Sequence, residues 1–133
     1  MREILFRGKR LDNGEWVEGA YCSNVCDDSF TPMIEMPCIV ELEFGFWYEV
    51  NPDTVSQYTG LCDKNGKKVF GGDIVRHYNR LDDDTAYDIG LIYYDATQCR
   101  FKRTAAPGEA RVGEHCRYEV IGNVYDNPEL LEG

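Results

Sequence analysis

Residues 50–77 read VNPDTVSQYTGLCDKNGKKVFGGDIVRH, and this stretch decides the fold. Asn51 before Pro52 predicts one short helical turn. The Asn side chain can accept a hydrogen bond from a free amide, and proline gives up a donor that the first turn leaves unpaired. Residues 55–61 alternate as a strand does. The segment DKNG at 63–66 predicts a tight turn, because Asn and Gly tolerate positive φ.

A return strand follows this turn. Residues 67–70 begin it, Gly71 and Gly72 break it, and residues 73–76 resume it with β-branched side chains typical of a buried strand. The stretch therefore predicts a β-hairpin with a kink, which is how small barrels turn corners.

The sequence before this stretch predicts more β structure. Residues 1–21 alternate weakly around Asp12-Asn13-Gly14, which is a strong hairpin signal. Residues 22–37 show no clear period and contain two prolines, so we expect a loop or irregular strand there. Residues 38–50 alternate again up to the aromatic run 46–48, which predicts another strand.

The sequence after residue 77 predicts a second hairpin and a closing strand. The expected elements are a charged connection at 79–85, a hairpin of 87–94 with 98–104, a loop at 105–113, a strand at 116–125 and a helical turn with Asn127 as cap and Pro128 at its first position.

These elements together predict a mainly β fold. Several short strands with glycine corners in about 80 residues favour a small SH3-like β-barrel over about 51–133. An N-terminal β-hairpin or meander region, 1–50, is expected to pack on this barrel, so that 1–133 forms a single unit with two subdivisions. The fold alone licenses nothing about function.

Net charge narrows the function classes. The chain has 14 basic and 24 acidic side chains, a formal charge of −10, and no basic stripe that could neutralise phosphates. Conventional nucleic-acid binding is therefore disfavoured. A local basic face of Arg100, Lys102 and Arg103, with Phe101 or Tyr93 for base stacking, leaves a nucleic-acid-binding small barrel as an alternative.

The cysteines and histidines form no recognisable metal pattern. Six cysteines lack a CxxC pair, and His77 and His115 complete no zinc spacing. The acidic run 82–84 lacks the spacing of a calcium loop. We expect no metal, no cofactor and reduced cysteines that act as small hydrophobic residues, with a disulfide or metal ligation left open. Without a signal peptide or an apolar run of membrane length, the sequence predicts a cytoplasmic protein.

Three sequence blocks carry a family resemblance: MREILFRGKRLDNGEWVEG (1–19), DTVSQYTGLCDKNGKKVFGGDIVR (53–76) and YEVIGNVYDNPELLE (118–132). Together they resemble the YopX family of phage and prophage proteins. The resemblance implies a phage-encoded, mostly β protein with an SH3-like barrel in the bacterial cytoplasm, and it supplies no catalytic residues. Gly71 and Cys62 depart from the residues common in the family.

The function expected from this sequence is that of a non-enzymatic binding module. Its partner would be a host or phage protein, or a second copy of the chain. Because three consecutive aromatics cannot all face one side of a strand, at least one of residues 46–48 must point away from the core. The candidate contact residues are Trp47, Tyr48, Gln57 and Tyr58. A second alternative is an acidic decoy for a basic host protein. Neither histidine has an obvious nucleophile beside it, so no catalytic residue is predicted.

Overall fold

The structure, a computed structural model, describes residues 3–25, 34–80, 83–104, 109–111 and 117–132. Antiparallel strands and two short 3-10 helices, η1 and η2, make up its regular structure. Their bounds are β1 Phe6–Lys9, β2 Trp16–Val25, β3 Ile34–Val40, β4 Trp47–Glu49, η1 Pro52–Thr54, β5 Ser56–Cys62, β6 Lys68–Phe70, β7 Asp73–Arg80, β8 Asp83–Asp95, β9 Arg100–Thr104, β10 Glu109–Arg111, β11 Tyr118–Asn123 and η2 Pro128–Leu131.

The chain divides into two compact units, Met1–Tyr58 and Thr59–Gly133. One sheet has the strand order β4-β3-β2-β1-β5-β6, and the other has the order β10-β9-β8-β7-β11. The predicted subdivision into 1–50 and 51–133 stays a prediction.

The first unit begins with the predicted hairpin, which is confirmed. Strands β1 and β2 pair from Phe6↔Gly19 to Lys9↔Trp16, and Gly14 supplies the positive φ of +73° in the turn. Only glycine adopts this backbone conformation without a steric cost, which explains why the Asp-Asn-Gly signal marked the turn correctly.

The expectation of a loop or irregular strand at 22–37 is confirmed in its second form at both ends, where the pairing of β2 with β3 shifts register between Cys22 and Asn24. Strand β2 continues to Val25, and β3 begins at Ile34 and pairs with it, with Cys22 opposite Cys38. Pairing with neighbouring strands outweighs a weak local pattern here. Residues 26–33 of that prediction lie outside the described residues.

The strand predicted over 38–50 is interrupted. Strand β3 ends at Val40 and β4 begins at Trp47, with a turn between them. The N–H of Glu41 donates to the carbonyl of Phe46 (2.7 Å), and Gly45 has a φ of +76°. The single glycine therefore turns an apparently continuous strand into a hairpin.

The central stretch folds as predicted. The side chain of Asn51 accepts from the N–H of Asp53 at 3.0 Å and caps η1. Gly72, with a φ of +87°, lies in the turn between β6 and β7. The buried carboxylate of Asp73 accepts from the N–H of Phe70 at 2.8 Å, which fixes the corner.

The second sheet confirms the hairpin of β8 with β9 and the closing strand β11. The prediction of a charged connection at 79–85 is wrong, because β7 extends to Arg80 and β8 begins at Asp83. These two residues pair with each other. The loop expected at 105–113 contains β10. The predicted helical turn is confirmed, with Asn127 at the cap position and Pro128 at the start of η2. The side chain of Asn127 makes no capping bond to η2 and instead accepts from the N–H of Asn123 at 3.3 Å.

The second unit has a defined hydrophobic core. Its buried members are Val69, Val75, Ile92, Phe101 and Tyr118, with Val120 packed against them. The mainly β class is therefore confirmed. The described strands form two sheets rather than one closed cylinder, so closure into an SH3-like barrel stays a prediction.

Candidate functional site

The turn between β3 and β4 exposes a cluster of large apolar side chains, which we name the aromatic tip: Leu42, Phe44, Phe46 and Trp47. Their exposed fractions are 63%, 69%, 60% and 49%. The rings of Phe44 and Phe46 lie 6.4 Å apart, centroid to centroid. Contiguous exposed apolar surface of this kind marks interaction sites more often than chance exposure does.

The local fold explains why these side chains face outward. The backbone closes on itself through the Glu41–Phe46 bond and through the N–H of Gly45, which donates to the carbonyl of Glu41 at 3.0 Å. A turn that is closed by its own backbone bonds leaves its side chains free to project. Glu41, which is half-buried, and Glu43, which is exposed, add two acidic residues to this turn.

The predicted candidate Trp47 belongs to the aromatic tip, whereas its neighbour Tyr48 does not. Tyr48 is half-buried, and the guanidinium of Arg10 lies 4.2 Å from its ring centroid. Two hydrogen bonds from Arg10 to Asp12, of 2.9 and 2.6 Å, hold that guanidinium in place. The same contact raises the pKa of Arg10 and lowers that of Asp12. Tyr48 is thus occupied by a contact within the chain.

The candidates Gln57 and Tyr58 lie on β5, which three strands separate from β4 in the sheet. Gln57 is half-buried opposite Phe6. Tyr58 is only 6% exposed, and its N–H donates to the carbonyl of Leu5 at 2.8 Å. The four predicted contact residues therefore do not form one surface patch.

The basic residues of β9 do not form one exposed face. Lys102 is 5% exposed, and its Nζ lies 2.9 Å from Asp95 Oδ2. Thr97 first, and then Lys102, hold the pKa of Asp95 far below its usual range. Arg103 is buried on the opposite face of the strand, and Arg100 is half-buried. Phe101 is a core residue whose ring meets that of Tyr94 edge-on at 5.2 Å.

A polar cluster around Tyr78 was not predicted from the sequence. Its hydroxyl donates to Glu119 Oε2 at 2.7 Å, and Lys64 Nζ lies 3.4 Å from the same oxygen. The ammonium of Lys64 also sits 4.2 Å from the Tyr78 ring centroid, and the guanidinium of Arg117 lies 5.6 Å from it. This cluster joins β7, β11 and the turn after β5, and its partners are too distant in sequence for a local pattern to reveal them.

The groups considered for chemistry do not assemble into a reactive centre in the part of the chain that the structure describes. Cys22, Cys38, Cys62 and Cys99 form no disulfide, and no set of three metal-ligating side chains occurs among the described residues. His77 is half-buried against Tyr118, with ring centroids 5.3 Å apart. His115 and Asp82 lie outside the described residues.

Two residues of the aromatic tip, Leu42 and Phe44, escaped the sequence analysis because strict alternation assigned them to a strand face. The available signal was Gly45 between two phenylalanines, since a glycine inside a strand pattern often marks a bend. The described residues contain no helix of the length and apolarity that a membrane crossing requires.

Comparison with known proteins finds one family model that covers nearly the whole chain. The crystal structure of protein EF1440 from Enterococcus faecalis is similar, with a TM-score of 0.55, 24% sequence identity and coverage of 98% of this chain and 99% of that one. This likeness concerns the fold alone. A comparison with curated proteins finds no match. The family model described as YopX protein matches residues 5–132. The chain therefore belongs to the YopX family.

Proposed function

We propose that this chain is a non-enzymatic binding module of phage or prophage origin, which acts in the bacterial cytoplasm by protein–protein contact through the aromatic tip. The observation that carries the proposal is the exposure of four neighbouring large apolar side chains, each at 49% or more. Burial of each such side chain in an interface is favourable by about 1.5–3 kcal/mol.

The chemistry of the tip indicates the kind of partner. An apolar centre in a turn that also carries Glu41 and Glu43 resembles the centre and rim of protein interfaces. A chain with a formal charge of −10 associates fastest with a basic partner. The partner surface should therefore offer an apolar pocket with Lys or Arg at its edge, on a host or phage protein.

The nucleic-acid alternative receives less support from the geometry. Binding through β9 would need Lys102, which is buried and ion-paired with Asp95, and Phe101, which belongs to the core. The acidic-decoy alternative rests on the charge alone. Binding measured at different ionic strengths distinguishes the decoy from the tip-mediated contact, because screening weakens charge pairs and leaves apolar burial intact.

We also propose that residues 51–133 close into an SH3-like barrel. The turn at Gly72 and the register shift of β11 between Val120 and Gly122 support this, since kinks and bulges of this kind let a sheet curve. An experimental structure in which β6 and β10 remain unpaired edges would contradict closure.

The test uses the double variant Phe44→Ser/Phe46→Ser as bait in bacterial lysate, beside the wild type. The matched control is Tyr87→Ser/Ile89→Ser, which removes two exposed side chains from the second sheet (42% each). We expect the tip variant to lose about tenfold or more of a captured protein, a loss of at least 1.4 kcal/mol, while the control retains it. Equal capture by all three baits would refute the proposal.

Two further arms identify the mode of contact. Raising the salt from about 0.1 to 1 M shortens the Debye length from about 10 to about 3 Å. Tip-mediated capture should persist, whereas capture by a charge decoy should disappear. Light scattering of the wild type and the tip variant shows whether the partner is a second copy, because only then does the variant change the oligomeric state.

A further inference from the structure

The side chain of Arg103 is buried while two of its nitrogens lack hydrogen-bond acceptors. The residue is 7% exposed, and neither Nε nor Nη1 has a hydrogen-bond partner in the described part of the chain. A guanidinium remains charged at every pH that a protein tolerates, and a buried charge without a partner is strongly unfavourable. Its neighbour Lys102 is equally buried, but the carboxylate of Asp95 compensates its charge at 2.9 Å. Among the residues that the structure describes, no carboxylate forms an ion pair with Arg103.

The strand register places His77 on the same sheet face as Arg103. Arg103 lies opposite Ile92, and His77 lies opposite Asp88. Residues 88, 90 and 92 of β8 alternate onto one face, so the two side chains flank Gly90. Gly90 contributes no side chain there, and the backbone carbonyl of Thr104 occupies the place that a Cβ of Gly90 would take.

The imidazole of His77 also has an unmet hydrogen-bonding atom. Its Nδ1 is buried and has no hydrogen-bond partner among the residues described. Burial first, and then the charge of Arg103, lower the pKa of His77, while Asp88 acts in the opposite direction. Asp88 is exposed, and the ring of Tyr118 lies 5.3 Å from that of His77, centroid to centroid. The guanidinium therefore acts on the imidazole electrostatically, from the same face of the sheet.

We propose that Arg103 and His77 form a binding site for a small oxyanion, a phosphate or a carboxylate group. The donors fit this ligand class, because the planar guanidinium binds both groups through parallel N–H bonds. The Nδ1–H tautomer of His77 supplies a third donor. The ligand brings the negative charge that the buried guanidinium lacks. The site lies in the second unit and does not depend on the aromatic tip or on the function proposed for it.

Thermal unfolding tests the site. The protein is first melted in a buffer whose only anion is chloride, and then with inorganic phosphate or acetate at equal ionic strength. We expect at least one of them to raise the Tm by about 4 °C when present at about ten times its Kd. Arg103→Met should lose this response. In the chloride buffer it should melt at or above the wild-type temperature, since it removes an uncompensated buried charge.

The matched control is Lys67→Met, which removes an exposed positive charge from the turn between β5 and β6. This variant should keep the full response to the anion. The proposal would be overturned if Arg103→Met kept the anion-induced rise in Tm, or if Lys67→Met lost as much of it as Arg103→Met. The anion would then act on general surface charge.

A second measurement does not depend on the folding of Arg103→Met. The variant His115→Gln leaves His77 as the only imidazole, whose pKa is then followed by NMR. A bound anion favours the imidazolium form, so phosphate or acetate should raise the pKa of His77 relative to chloride. A rise in the pKa of His77 with phosphate, with acetate or with both would support the site and would identify its ligand class. An unchanged pKa with every anion would refute it.

Discussion

The carboxylate of Asp63 accepts a hydrogen bond from the backbone N–H of Val120 at 3.0 Å, across 57 positions of the chain. Its other oxygen accepts from the N–H groups of Asn65 and Lys67, each at 2.9 Å. One buried side chain therefore shapes the turn after β5 and ties it to β11. It links two of the three sequence blocks that resemble the YopX family.

We expect Asp63→Ala to lower the free energy of unfolding by about 3 kcal/mol, since hydrogen bonds to charged groups contribute about 1.5–3 kcal/mol each and water replaces part of them at the turn. Urea unfolding at pH 7 measures this. Asp53→Ala removes an exposed carboxylate and should change stability by less than about 0.5 kcal/mol. Equal effects of the two substitutions would show that Asp63 does not tie the turn to β11.

Substitutions at Gly66 and Gly72 allow the cost of backbone strain to be measured apart from the cost of steric crowding. Both have positive φ, +87° and +83°. A Cβ on Gly72 would lie 2.8 Å from Cε2 of Tyr125, whereas one on Gly66 would meet nothing within 4 Å. Gly66→Ala should therefore cost about 1–2 kcal/mol for the backbone alone, and Gly72→Ala a further 1–3 kcal/mol, roughly, for overpacking. Chemical unfolding measures the loss of unfolding free energy in each variant. Equal losses in the two variants would contradict the expected larger effect at Gly72.

Features that depend on a few adjacent residues were predictable from the sequence. The cap of Asn51, the turn at 63–66 and the kink at Gly72 each depend on the conformational preferences of individual residues, and the structure contains all three. The ends of β2 and β3 were not predictable in this way. Cys22 and Cys38 are opposite each other because neighbouring strands pair, and no local pattern encodes that pairing.

The candidate site was likewise only partly predictable from the sequence. Three adjacent aromatics indicated that one must be exposed, and Trp47 and Phe46 are. Leu42 and Phe44 were assigned to a strand because the turn at Gly45 breaks an otherwise regular alternation. The burial of Arg103 could not be predicted at all, since burial depends on which elements cover a residue.

The hydrogen bond from Tyr78 to Glu119 makes stability depend on pH. Tyr78 first, and then Lys64 and Arg76, lower the pKa of Glu119 below its usual value of 4.5, while burial opposes them. A lowered pKa in the folded state stabilises the protein above the unfolded-state pKa, and this stabilisation is lost as the pH falls through the folded-state pKa. The contribution should therefore be complete above about pH 4.5 and should disappear at lower pH.

We expect Tyr78→Phe to cost about 1 kcal/mol at pH 7, with a difference from the wild type that narrows below pH 4.5. Urea unfolding at several pH values measures it. The control is Tyr94→Phe, which removes the hydroxyl of a tyrosine that is 52% exposed and should show no such pH dependence. A constant difference between Tyr78→Phe and the wild type from neutral to acid pH would contradict the assignment.

The thiol of Cys38 should be the slowest to react among the cysteines of the described residues. It is fully buried, and burial first, then Glu49 and Cys22, raise its pKa, so little of the reactive thiolate forms. Cys62 and Cys99 are exposed. Alkylation of the native protein followed by peptide mapping should modify those two first, and Cys38 only at the rate of unfolding. In denaturant all three should react alike, which controls for intrinsic reactivity. Rapid alkylation of Cys38 in the native protein would mean that β3 is not stably paired with β2 and β4 in solution.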